Sequence, residues 1–201
     1  AYFSVRETLT HYFIEYDFYY PRDDGPIALE RHENDLEGCI LVIRKDSSTY
    51  GSLHLMETQA HNHWYQYSND PAITDGSDDI DGGILLDGHR PKLYISANGI
   101  GTDAGHGVLA YDGSGANGGD GIVFRFVTGD AEMPDDFSGS YTNFYDYELI
   151  SMDVLWNRRY DVGGAAHTYY DWGHFYGDTY TDSSCTLPWI KDAPDDGPVY
   201  D

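Results

Sequence analysis

Between Thr10 and Tyr20 the even positions read Thr10, Tyr12, Ile14, Tyr16, Phe18 and Tyr20, whereas the odd positions include His11, Glu15 and Asp17. Successive side chains of an extended chain point to opposite faces, so this alternation predicts a strand with one buried face. The stretch Pro21 to Pro26, with two Asp and a Gly, predicts a turn or loop, since proline is excluded from sheet interiors. The run Gly38-Cys39-Ile40-Leu41-Val42-Ile43 is apolar at both parities and ends in Arg44-Lys45-Asp46. That pattern predicts a central strand, covered on both faces, emerging into a polar turn.

Further strands are expected at 51–58, 64–67, 92–97, 122–127 and 169–175, joined by Asp- and Gly-rich loops. Apolar residues at 149, 150, 152 and 154–156 support one short helix before Arg158-Arg159. Many short strands with abundant turn residues predict an all-β chain, a β-sandwich with long Asp/Gly-rich loops and at most one or two short helices. No linker-like stretch divides the 201 residues, so residues 1–201 are read as a single domain.

Aromatic residues make up 15% of the chain, too much apolar surface for a disordered acidic tail despite a net charge of −24. The 35 acidic residues against 11 basic ones repel phosphate backbones and anionic lipid surfaces, so nucleic acid is excluded as a partner, whereas cations are attracted. No apolar run is long enough to span a bilayer as a helix. The chain opens at Ala1-Tyr2-Phe3, which fits a processed, secreted protein. In an oxidising compartment Cys39 and Cys185 are candidates for one bridge; the alternative for Cys39, inside its apolar run, is a buried free thiol.

The chemistry-bearing cluster is Arg31-His32-Glu33-Asn34-Asp35-Leu36-Glu37. Asp35 and Glu37 have the spacing that places two side chains on one face of a strand, and His32 lies where the chain enters it. Two carboxylates so close disfavour each other's charge unless something positive lies between them. Carboxylates with an imidazole suit Ca²⁺, Mg²⁺ or Mn²⁺ better than structural zinc, and Asp23 can add another oxygen. The competing reading is a set of solvated polar residues at a strand end.

The stretch Tyr12-Phe13-Ile14-Glu15-Tyr16-Asp17-Phe18-Tyr19-Tyr20-Pro21, followed by His32-Glu33-Asn34-Asp35-Leu36-Glu37 and an apolar strand, resembles two related groups. One is the vacuolar-sorting-associated family of plants and fungi, with its His-Glu-Gly-Asp-Trp-Glu hallmark. The other is the necrosis- and ethylene-inducing-like proteins, secreted cytolysins with Gly-His-Arg-His-Asp-Trp-Glu. The resemblance implies a β-sandwich and places a divalent cation, Ca²⁺ or Mg²⁺, on Asp23, His32, Asp35 and Glu37, with Asp24 as the alternative to Asp23. Leu36 stands where both hallmarks carry Trp, and Asn34 where the cytolysins carry a second His. Farther on, Arg90-Pro91-Lys92-Leu93-Tyr94-Ile95-Ser96-Ala97-Asn98-Gly99 is similar to a vacuolar-sorting-family segment that continues into His; Ile100 replaces that His, and His106 is the candidate to serve instead.

His61 and His63, beside Trp64 and Tyr65, are candidates for the wall of a ligand cleft with His106. The 75–82 loop alternates oxygen ligands but lacks the Gly and the bidentate Glu of an EF-hand. Gly113-Ser114-Gly115-Ala116-Asn117-Gly118 is followed by a strand, not by the helix that a dinucleotide site requires. The expected function is that of a secreted cation-binding module for a polar or sugar-bearing ligand. The alternatives are a structural surface or assembly protein stiffened by the ion, and a metal-dependent hydrolase using His61, His63 or His106 for proton transfer.

Overall fold

The computed structural model describes residues 1–23, 32–60, 63–73, 80–96, 107–113, 123–126 and 144–154. Within them the strands are β1 (Tyr2–Glu7), β2 (His11–Asp23), β3 (His32–Arg44), β4 (Ser52–Ala60), β5 (His63–Tyr67), β6 (Leu86–Asp87), β7 (Arg90–Pro91), β8 (Leu93–Ser96), β9 (Gly107–Ala110), β10 (Val123–Phe126), β11 (Phe144–Tyr147) and β12 (Ile150–Ser151). The fold is all-β. Six strands form the main sheet in the order β12-β1-β2-β3-β4-β5, and β8–β9, β10–β11 and β6–β7 form separate two-stranded pairs. The strand expected at 169–175 lies outside the described residues.

β1 through β5 pair antiparallel in sequence order, each strand beside the next. The Thr8–Thr10 turn between β1 and β2 is closed by Thr8, whose Oγ1 accepts from the His11 and Thr10 N–H groups at 2.9 and 3.3 Å. β12 adds to β1 in parallel, with Tyr2 opposite Ile150 and Phe3 opposite Ser151.

One face of the main sheet carries the apolar core. Leu41 and Met56 pack there with Tyr67, Ile84 and Ala110, ringed by Ile14, Tyr16, Ile43, Leu53, Tyr65 and Leu93. The β8–β9 hairpin brings Leu93 and Ala110 to this core, with β9 packed against β3 and β4 as a second layer. Full burial of a side chain such as Met56 contributes about 1.5–3 kcal/mol. The opposite face of β3 and β4 is buried too, at Leu36, Ile40, Leu55, Glu57 and Gln59, so the central-strand reading of 38–43 holds.

Two sequence expectations need correction. The turn expected from Pro21 begins later, because β2 runs on to Asp23, with Tyr20 opposite Asp35 and Arg22 opposite Glu33. Among the described residues β1 pairs with β2 only as far as Asp17, so no described strand on that side calls for the N–H that Pro21 lacks. The short helix expected within 147–156 is divided differently. Ile150–Ser151 is strand β12, its bonds including Ile150 N–H to Ala1 O at 2.9 Å and Met152 N–H to Phe3 O at 2.8 Å, and a helical turn starts only at Asp153. The open edge of β1 supplies backbone partners that override local periodicity. No helix among the described residues is long and apolar enough to cross a membrane.

Candidate functional site

The β2–β3 register brings the hallmark residues to one end of the sheet. Asp23 stands opposite His32, Tyr20 opposite Asp35 and Phe18 opposite Glu37. The Asp23–His32 pair differs in strand parity from Asp35 and Glu37 and lies five residues, about 16 Å, along the ladder from the Phe18–Glu37 pair, so a shared ion requires the strand ends to depart from regular pleating. The side chains of Asp23, His32 and Asp35, and all of Asp24, lie outside what is described. Glu37 is described, and it is fully buried. A carboxylate so placed needs a proton, donors or a cation to offset its desolvation.

A backbone contact builds the wall beside it. The Tyr20 hydroxyl, itself buried, donates to the Gly107 carbonyl at 3.0 Å. Gly107 has φ +153, and a Cβ there would lie 2.6 Å from the Cβ of Ala60. Only glycine allows β9 to approach β4 so closely. Ala60 in turn pairs with His63, which is exposed at the start of β5. Gly107 and Ala60, at the end of β4, therefore lie at the same end of the sheet as Tyr20. His61 and His106 themselves lie outside the described residues.

Leu36, at the Trp position of the hallmarks, is fully buried, so this is an apolar packing position that leucine fills. Cys39 is a buried free thiol rather than half of a bridge to Cys185, which lies outside the described residues. Burial, reinforced by the charges of Asp17 and Glu15, pushes the thiol's pKa well up and leaves it unreactive. Part of the 75–82 loop is also outside; its Asp81 is in structural use, accepting the Gln66 N–H at 2.7 Å.

The sequence reading missed a buried polar strip on the face of the sheet away from the apolar core. Asp17, Glu57, Gln59 and Gln66 are all buried there, with Gln66 Nε2 donating to Glu57 Oε2 at 3.2 Å. Glu15 accepts from Ser4 Oγ at 2.7 Å. Both Asp17 oxygens are buried without a hydrogen-bond partner among the described residues. Desolvation, then the charges of Glu15 and Glu37, push its carboxyl well above the usual range. Burial likewise raises Glu15, opposed by the Ser4 hydrogen bond and Arg6. The alternation in β2 displayed these residues, but nothing local distinguishes a polar face that is solvated from one that is covered. Among the described residues no three His, Cys, Asp or Glu side chains group as a metal site.

No family model matches the chain, and no curated protein matches it. Two solved structures are similar to it, one described as a non-toxic HaNLP3 protein and one as a toxin fold for microbial attack and plant defense. The first is 16% identical and the second 18%, each with a TM-score of 0.39 over 54% of this chain. The match spans 44% of either of those chains, less than half their length.

Proposed function

We propose that the protein is an extracellular divalent-cation-binding β-domain in which an ion held by Asp23, His32, Asp35 and Glu37 organises the loop end of the sheet as a binding module for a polar or sugar-bearing ligand. The observation that supports this reading is the full burial of Glu37, two residues along β3 from Asp35 and so at the same strand parity. Oxygen ligands with one imidazole suit Ca²⁺ or Mg²⁺, and a chain of net charge −24 concentrates such ions at its surface. The hallmark resemblance to the vacuolar-sorting-associated and necrosis-inducing-like families supports the same ligand set. A second reading, a metal-dependent hydrolase, draws on exposed His63 at that end of the sheet, where a base within one water of the ion would be needed.

The test is calorimetric and thermal titration of the chelator-treated protein with Ca²⁺ and Mg²⁺, in the wild type and in Glu37→Gln. The wild type gains about 2.7 kcal/mol of stability at a hundredfold excess over Kd. Glu37→Gln, which keeps the side-chain volume, loses most of that gain. A wild type unchanged by either ion at about 10 mM overturns the proposal, since that exceeds the weakest range of extracellular calcium modules.

A further inference from the structure

At the other end of β2 two histidines, far apart in sequence, face each other. The register of β3 against β4 shifts between Val42, opposite Leu55, and Ile43, opposite Leu53, which leaves His54 as the extra residue of a β-bulge. Bulges take a residue out of strict alternation and re-aim its side chain. His11, the first residue of β2, stands opposite Arg44, which stands opposite Ser52 on β4. His11 Nε2 and His54 Nδ1 are 3.4 Å apart, with ring centroids separated by 5.4 Å and planes inclined at 57°.

That separation is long for a nitrogen–nitrogen hydrogen bond. It is the bite expected of two imidazoles on one ion, because bonds of 2.0–2.1 Å at a tetrahedral angle hold their nitrogens about 3.3 Å apart. The remaining nitrogen of His11, Nδ1, lies 2.9 Å from Thr10 Oγ1. With Nδ1–H donating to that hydroxyl, the lone pair is on Nε2, the arrangement a metal ligand needs. On His54 the far nitrogen, Nε2, is shielded and has no hydrogen-bond partner among the described residues, so Nδ1 is the atom presented to the partner ring. Burial, with Arg44 and His11 nearby, lowers the His54 pKa against the opposing pull of Asp70 and favours the neutral, ligating form.

We propose that His11 and His54 form a cross-strand, bidentate site for a borderline transition cation, Zn²⁺, Cu²⁺ or Ni²⁺, whose other positions are filled by water. Imidazole selects these ions over Mg²⁺ and Ca²⁺, which prefer oxygen. No third His, Cys, Asp or Glu completes a group there among the described residues. The site shares no residue with the Asp23, His32, Asp35 and Glu37 cluster, and its failure leaves that cluster untouched.

The test is Zn²⁺ titration calorimetry of the whole chain in about 10 mM Mg²⁺, which occupies oxygen-rich sites. Wild type, His11→Gln and His54→Gln are compared, with far-UV circular dichroism confirming each fold. Either substitution is expected to weaken one class of Zn²⁺ site by about tenfold or more, and the double variant to add little, since one ring already lost breaks the chelate. Cu²⁺ loaded into the wild type should give an electron paramagnetic resonance signal with two-nitrogen coupling that His11→Gln removes. His11→Gln keeps the bulge residue in place, so it decides the matter if His54→Gln unfolds. Superimposable Zn²⁺ titrations for wild type and His11→Gln overturn the proposal.

Discussion

Asp17 is the residue at which burial and charge conflict most sharply. Its carboxyl is fully buried and holds its proton above the usual range because of desolvation and the nearby charges of Glu15 and Glu37. An unfolded Asp ionises near pH 3.9, so from about pH 4 upward the folded state binds more protons than the unfolded one. The sign follows directly: the stabilising contribution is complete below the unfolded pKa and is lost as pH rises toward the folded pKa. Asp17→Asn should therefore be more stable than the wild type at pH 7.5, by about 1–3 kcal/mol, with the difference shrinking toward pH 4. Urea unfolding at the two pH values checks this, and a difference that does not vary with pH would sink it. The neighbouring Gly38 lies under the same carboxylate, where an added Cβ would stand 2.5 Å from Asp17 Oδ1 and 2.7 Å from the Tyr16 carbonyl. The carboxylate can rotate but the carbonyl belongs to the β2 ladder, so Gly38→Ala should cost about 1–3 kcal/mol in the same assay. A cost under a few tenths would mean that β2 and β3 separate easily.

Between elements, the decisive contact is that of β9 on β4. Gly107→Ala puts a Cβ against Ala60 and places a non-glycine residue at φ +153, so it should destabilise the protein by about 1–3 kcal/mol. Tyr20→Phe removes the hydroxyl that donates to the Gly107 carbonyl and should cost about 0.5–1.5 kcal/mol. Thermal unfolding of both variants tests the ranking, and an equal or reversed order would show that the close approach does not anchor the second layer. The strands themselves were legible where alternation was strong: β2 from its aromatic positions, β3 from its doubly apolar run, and β4, β5, β8 and β10 within a few residues. β1 was not, since Tyr2-Phe3-Ser4-Val5-Arg6-Glu7 shows no sustained alternation and its partners lie in β2 and β12. β9 and β12 are likewise set by distant backbone partners. At the candidate site, the shared parity of Asp35 and Glu37 follows from residues close in sequence, whereas the His11–His54 pair depends on a bulge and on strand order, which no local spacing encodes.

At the scale of the whole molecule, 35 acidic and 11 basic residues confer a net charge of −24, and self-repulsion at that level opposes compaction. Exposed pairs such as Lys45 and Glu7, at 2.5 Å, relieve it only locally. Two physically distinct remedies are available, diffuse screening and site binding, and they leave different signatures. Univalent salt shortens the Debye length from about 10 Å at 0.1 M to about 3 Å at 1 M, so raising NaCl should increase Tm gradually, without saturation, and equally in wild type and Glu37→Gln. A divalent cation added on top of about 0.5 M NaCl acts after most surface repulsion is screened, so any further rise should saturate with concentration and depend on Glu37. If the divalent effect disappears in high NaCl while the univalent effect is large, the acidic composition serves general cation screening and the hallmark cluster is not an ion site. If NaCl leaves Tm unchanged, the carboxylates are already neutralised by protons or local partners, and the net charge overstates the repulsion the fold has to overcome.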